Sequence, residues 1–418
     1  MKYPFSVKPY LHHKAFRKKR EMMQRETKIL EKLLPVYKIE QDCIISKQGD
    51  ITVAFELQLP QIFTLSNEEY ETLHHNWLRA LKILPAHTVV HKQDWFIVKE
   101  IQPQENVENL SFLSASAENY FAGRQYLDHS CYLMITKKAS DRKPSSSVFS
   151  NLLRSGLSPK ETSDMQLMQD FGNKIGQMEK LLEESRNIKI RRLTGEDIAG
   201  SDLKAGLIEK YCFLSDEQNT SIKDIVFKPE WQIGEKHCQL FSIADADHLP
   251  ALCGPRITYE KYSTDKTKFS VGFAASLGLL LKCDHIYNQV IIIDDAPKVL
   301  KKMESKRRRL QSLSAYSREN AINRDAVNSF LNEAISEQRL PVNAHFNVMV
   351  WTEDRNKIKE LRNTTSAAIA QMDAIPKQEI IGAPQIYWAC MPGNAADFPL
   401  NETFDTFLEQ ATCFLHHE

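Results

Sequence analysis

No Gly-x-x-x-x-Gly-Lys-Ser/Thr stretch occurs anywhere in the 418 residues, so the sequence offers nucleotide phosphates no backbone cradle. Nor does a Gly-x-Ser-x-Gly turn occur, which leaves a hydrolytic serine without its strained strand-to-helix elbow. Eight cysteines stand at 43, 131, 212, 238, 253, 283, 390 and 413, and none forms a Cys-x-x-Cys pair. That spacing argues against a zinc site. The apolar flanks of Cys131 and Cys413 suit small buried hydrophobes, the usage expected of a reducing cytoplasm. The longest near-continuous apolar run, Phe269 to Leu281, has 13 residues. It is too short for a helix to cross a ~30 Å hydrocarbon core, so no transmembrane segment is expected. Net charge is absent too: 54 basic residues balance 54 acidic ones. That balance argues against a general nucleic-acid sponge, so any polyanion binding must come from a local patch.

What is present reads as globular, with 42% hydrophobic and 26% charged residues. Single cores stop growing near ~250–300 residues, so two or three domains are expected. Lys2, His12, His13, Lys14, Arg17, Lys18, Lys19 and Arg20 crowd the amino terminus with no apolar h-region behind them, which argues against a signal peptide. Met22, Met23, Ile29, Leu30, Leu33 and Leu34 then supply a helical stripe, read as packing on its own domain in preference to a membrane-facing arm.

Cys43 to Leu57 reads as a hairpin turning at Gly49. Ser66 and Glu69 form a capping box for a helix whose apolar side is Tyr70, Leu73, Trp77, Leu81 and Leu84. A strand over His87 to Ile101, a helix over Ala117 to Leu127 and a strand over Ser130 to Lys137 complete an α+β pattern. Residues 140 to 163 read as a linker, followed by a helix capped at Ser163 with Met168, Phe171, Ile175, Met178 and Leu182 inward. Ile222 to Ile243 predicts two strands around Gly234. The Phe269 to Leu281 and Ile286 to Ile293 runs make a second core, with helices over 299–313, 326–335 and 358–372. Strands are expected at Phe346 to Trp351, Glu379 to Ile381 and Ile386 to Ala389. From Asn401 onward Phe404, Phe407, Leu408 and Ala411 predict an amphipathic helix. The fold class is therefore α+β: two mixed or antiparallel-sheet domains with packed helices, over 1–139 and 216–418, joined by a helical connector over 140–215. Two similar halves raise the thought of duplication, but no residue-level repeat is visible.

Several constellations could carry chemistry. Val290-Ile291-Ile292-Ile293-Asp294-Asp295 has the form of a Walker B segment, whose acid organises Mg²⁺. Without a phosphate loop, a buried strand ending in two solvated acids is the preferred reading. Lys298, Lys301, Lys302, Lys306, Arg307, Arg308 and Arg309 are the densest basic cluster, on one long helix. It could hold phosphates, nucleic acid or an acidic partner, but Glu304 interrupts it and no stacking aromatic comes before Tyr316. A solvated helix face or interdomain salt-bridge surface is preferred. His74 and His75 point different ways on a helix, and His87 and His91 share a strand face without an accompanying carboxylate or thiol. Asp245, Asp247 and His248, near Cys238, lack a nucleophile turn.

Some stretches resemble a known family. Met391-Pro392-Gly393-Asn394, followed by Phe398-Pro399 and the apolar Phe404 to Phe414 run, resembles the segment just ahead of the nucleotide-binding domain in type IV secretion ATPases. The likeness is to the conjugative-transposon TraG branch of the VirB-type family, and Pro392, Gly393 and Asn394 are its most specific part. The turn at Lys47-x-Gly49-Asp50, the stretch Arg124-x-Tyr126-Leu127-x-His129 and the segment Arg192 to Asp197 are similar to that family's amino-terminal region. The resemblance implies a non-catalytic docking and oligomerisation region, cytoplasmic and peripheral to the inner membrane, that contacts inner-membrane channel components and forms a homo-oligomer in the full-length protein. It implies ATP and Mg²⁺ for a motor domain beyond Glu418, and no cofactor for these residues. The rivals are a nucleic-acid-binding module using the Lys301 to Arg309 helix and a metal-dependent hydrolase using Asp294, Asp295 and Asp245.

Overall fold

The computed structural model describes residues 30–102, 111–138, 165–201, 204–215 and 223–418. It divides into a unit over 1–35, of which one helical turn (Leu30–Leu33) is described, and a unit over 36–418. The linker 140–163 and the cap at Ser163 lie outside the described residues.

The strands of the main sheet are β1 (Val36–Glu40), β2 (Cys43–Ser46), β3 (Ile51–Gln58), β4 (Thr88–Glu100), β5 (Gln125–Lys137), β6 (Lys189–Arg192), β7 (Ile225–Val226), β8 (Gln232–Ile233), β9 (Lys236–Ile243), β10 (His285–Ile293), β11 (Pro341–Thr352), β12 (Lys377–Glu379) and β13 (Phe404–Phe407). The helices are α1 (Asn67–Lys82), α2 (Phe112–Phe121), α3 (Met165–Glu183), α4 (Gly195–Ala199), α5 (Leu207–Phe213), α6 (Ala296–Leu313), α7 (Arg318–Ser336), α8 (Ile358–Ala370), α9 (Ala383–Ala389) and α10 (Leu408–Cys413). These 13 strands make one sheet, antiparallel at every pairing, in the order β1-β2-β3-β5-β4-β10-β11-β9-β8-β7, with β6 on β3, β12 on β9 and β13 on β11; among the described residues Gly200–Ser201 with Lys204–Ala205 and Arg256–Thr258 with Ser270–Gly272 form two separate small hairpins.

That order is a palindrome. Each half makes a three-strand meander, sends a fourth strand to the middle of the sheet and inserts a fifth between the third and the fourth. A helix then leads to a short strand on the third (α3 to β6, α8 to β12). The two halves are thus topological repeats, related by an approximate two-fold axis through the seam where β4 pairs antiparallel with β10, from Thr88↔Ile293 to Phe96↔His285. The α+β halves read from sequence are joined edge to edge in a single sheet. No periodic residue match betrays the repeat, because a buried strand specifies only size and apolarity.

Both faces of the central strands are covered, so β10 is buried along its whole length instead of alternating as a half-solvated antiparallel strand does. On one face Leu73, Trp77 and Leu81 of α1, Phe171, Ile175, Met178 and Leu182 of α3, and Leu361 and Ile369 of α8 pack over Val90, Leu133, Ile135, Ile291, Phe346 and Val348. Each such side chain contributes roughly 1.5–3 kcal/mol by leaving water. The capping box on α1 forms as the sequence predicts: Ser66 accepts from the Glu69 N–H, and the Glu69 carboxylate accepts from the Ser66 N–H at 2.7 Å. On the other face Trp95, Tyr211, Tyr387 and Trp351 make an aromatic layer.

Four local expectations change, the first being the strand over Glu379 to Ile381, which runs instead over Lys377–Glu379 and leaves Ile380 and Ile381 exposed. Ile386 to Ala389 lies in helix α9, not in a strand; Pro384 occupies its first turn, where a fixed φ and a missing N–H cost nothing. Phe404 and Phe407 belong to β13, and the helix begins only at Leu408. β9 stops opposite Phe346, so the groups of Pro341 to Ala344 would go unpaired on that side without β13. The helix ahead of β5 runs over Phe112–Phe121, and the residues given to its last turn begin the strand at Gln125.

Candidate functional site

The β4-to-β5 connection and its counterpart from β10 to β11 leave the sheet at opposite ends, because β4 and β10 are antiparallel. The first carries α2, none of whose residues is buried, with Phe112, Leu113, Tyr120 and Phe121 exposed. The Arg124 guanidinium lies 3.6 Å from the centre of the Tyr120 ring. The second carries the α6–α7 hairpin. Met303, Leu310, Val327 and Leu331 give this hairpin a small core of its own, and Phe330 stacks on Phe407 of β13 at 4.3 Å.

The basic residues named from sequence share α6 but do not act alike. Arg307 donates twice to the Glu304 carboxylate, at 2.9 and 2.8 Å, and Arg308 donates to it at 3.1 Å. These donors hold Glu304 down at about 2. Lys298 lies 3.4 Å from Asp295. Lys301, Lys302, Lys306 and Arg309 are exposed, with no acidic partner among the described residues. They form the cationic face.

The Pro392-Gly393-Asn394 turn is buried against the amino-terminal hairpin. Gly393 has φ +86, and a Cβ there would lie 2.6 Å from Ile44 Cγ2. Gln48, inside the Lys47-x-Gly49-Asp50 turn, donates to Asp397 at 2.7 Å. The two turns, far apart in sequence, are thus one structural feature. Asn394 donates to the Trp388 carbonyl at 2.8 Å, and Gln93 donates to the Cys390 carbonyl at 2.8 Å and to Asn288 at 2.8 Å, tying the turn to the seam. Gly393→Ala is expected to cost about 1–3 kcal/mol through overpacking and strain. Ile44→Ala in the same chain should recover part of that loss in a thermal melt; a single variant that melts with the parent would refute the close approach.

The remaining sequence candidates are dispersed. Asp294 sits 3.6 Å from His87, which lies outside β4 with φ +62, so His87 and His91 do not share a strand face. Asp245 pairs with His248 at 3.7 Å. Among the described residues, Asp294, Asp295 and Asp245 belong to no group of side chains close enough to share a metal ion.

A cluster that sequence reasoning missed lies at the seam. Lys92 and Asp94 alternate on one face of β4, both fully buried, and the Lys92 ammonium donates to Asp94 Oδ2. Gln289 of β10 donates to the same oxygen at 2.6 Å. His129 of β5 reaches Asp94 Oδ1 through Nε2 at 3.0 Å, and Nδ1 of His416 lies 3.8 Å from that oxygen. Burial opposes the charge on Asp94, but Lys92, the His129 hydrogen bond and the His416 ring hold its carboxyl well below the usual range. His129 stacks on one side of Phe96 at 4.5 Å and His285 on the other at 4.6 Å. His416 arrives with the segment after α10, whose path is set by His416 N–H to Gln289 Oε1 at 3.0 Å and by Tyr287 donating to the Phe414 carbonyl at 2.8 Å. The only local signal was His129 within Arg124-x-Tyr126-Leu127-x-His129. A charged pair at spacing two inside an apolar strand had announced nothing more.

Residues 23–75 match the family described as "Domain of unknown function, B. Theta Gene description (DUF3875)". The match spans β1 to β3 and the first half of α1. No curated protein matches the chain. Among the described residues no helix is long and apolar enough to cross a membrane.

Proposed function

We propose that these residues form the non-catalytic docking and oligomerisation region of a conjugative-transfer ATPase of the TraG/VirB type, with ATP and Mg²⁺ handled by a motor domain outside them. The observation that carries the reading is the polarity of the doubled sheet: one end presents the exposed apolar face of α2, the other the uncompensated cations of α6. A rigid body with two chemically different ends suits a part that holds two partners at a fixed separation. Exposed apolar patches are typical of protein interfaces, and like-signed faces steer oppositely charged partners. In this reading α2 meets a second copy of the chain, and Lys301, Lys302, Lys306 and Arg309 meet an acidic surface of the channel components at the inner membrane.

The test is a conjugation assay with the full-length protein carrying K301E, K302E, K306E and R309E together. Transfer frequency and co-purification with membrane channel components are expected to fall about tenfold or more, with an unchanged melting temperature because all four side chains are exposed. Unchanged transfer would remove α6 from the docking surface. Micromolar, Mg²⁺-dependent ATP binding by residues 1–418 would remove the non-catalytic reading. The same four cations also favour a second reading, nucleic-acid binding. It requires a salt-dependent DNA affinity whose slope flattens by roughly one for each phosphate that the variant no longer neutralises, and a flat slope in the parent dismisses it.

A further inference from the structure

We infer that Asp94, His129 and His416 form a binding site for one divalent transition-metal ion of the zinc class, which pins the segment after α10 to the seam of the sheet. Asp94 Oδ1, His129 Nε2 and His416 Nδ1 all lie within 4.8 Å of one another. Around a tetrahedral ion with bonds of about 2.0–2.1 Å, ligand atoms stand about 3.3 Å apart. The observed Asp94 separations of 3.0 and 3.8 Å bracket that edge.

A second observation comes from His416 itself. Its ring is 1% exposed, yet neither Nδ1 nor Nε2 has a hydrogen-bond partner. A buried polar group left unpaired costs about 1–3 kcal/mol, a cost that coordination through Nδ1 would remove. Gly278 fixes the other side of the ring: a Cβ there would lie 2.1 Å from Nε2. That leaves Nδ1 turned toward Asp94.

The surroundings supply what a metal site needs beyond its ligands. Asp94 offers Oδ1 because Lys92 and Gln289 hold Oδ2, and such outer contacts orient a ligating carboxylate. Phe96 stacks on the His129 ring and meets the His416 ring edge-on at 5.3 Å, which orients both imidazoles. The His129 side chain keeps 17% exposure, an entry path for the ion. Two imidazoles and one carboxylate favour zinc, cobalt or nickel over calcium or magnesium. Lys92 works against the site, since its ammonium shares the carboxylate with the incoming dication. Lys92→Met is therefore expected to tighten binding.

The experiment uses the 418-residue chain, stripped with chelator and desalted, titrated with Zn²⁺ by calorimetry and with Co²⁺ by visible absorption. One ion per chain is expected, with the intense d–d bands of tetrahedral cobalt and a melting temperature that rises with Zn²⁺. His129→Ala and His416→Ala should each weaken binding by about 100-fold or more, while His75→Ala, at an exposed position of α1, should not change it. Should an alanine variant not fold, the glutamine variant at the same position is read in its place. Three results would overturn the site: no binding to the parent, binding that both histidine variants retain, or the weak bands of octahedral cobalt.

Discussion

Asp94→Ala is expected to destabilise the chain by about 3–5 kcal/mol, because it strands the Lys92 ammonium in the interior without a counter-charge. Lys92 and Asp94 are both fully buried, so water cannot take over for either. In urea the midpoint should drop by about 1 M or more. The companion experiment separates the worth of the pair from the cost of breaking it. Lys92→Met combined with Asp94→Ala removes both charges and should recover most of the loss, since an apolar replacement for a buried ion pair is often neutral or stabilising. If the double variant is as unstable as the sum of the singles, the two residues are not coupled. If Asp94→Ala alone melts with the parent, the seam is wetter than its burial indicates.

Acid should unfold this protein well before its carboxylates titrate. Burial pushes His74, His91 and His285 down to about 4 and His345 to about 3. Unfolded histidine titrates near 6.5. Between these values the unfolded chain binds protons that the folded one refuses, so stability is complete above about pH 6.5 and is lost as pH falls toward about 4. Each histidine contributes about 1.4 kcal/mol per pH unit inside that window. Two of the four acting over about two units already remove about 5 kcal/mol, comparable to the whole stability of an ordinary domain. Urea midpoints measured in chelator from about pH 7.5 to about pH 5 should fall steeply, and a flat profile would mean that these imidazoles are protonated in the fold. A depressed carboxyl such as Asp94 adds its own loss only at lower pH, because its stabilisation persists above the unfolded carboxylate value near 4.

These expectations show how unevenly the chain could be read in advance. Helix α1 was legible to its cap, since Ser66, Glu69 and the three-four rhythm of Leu73, Trp77 and Leu81 act within one turn of each other. The turn at Gly49 was legible for the same reason. Ile386 to Ala389 was misread because aromatic and β-branched residues suit a helix as well as a strand when both faces are buried, as Tyr387 and Ile386 are. Phe404 to Phe407 was misread because the signal for a strand there lies in β11, not in the segment. The basic face of α6 was visible as composition, but which cations are already spent on Glu304 depended on rotamers.

By itself the sequence determined the α+β class, the local caps and turns, the lack of a phosphate loop and the clustering of cations on one helix. Each of these rests on interactions between residues a few positions apart. Only the tertiary structure decided that the two halves repeat about the β4–β10 seam, that the Pro392-Gly393-Asn394 turn meets Ile44, and that Lys92, Asp94, His129 and His416 share one polar cluster. Those contacts join residues far apart along the chain. Strand order and register, which no local pattern encodes, are what bring them together.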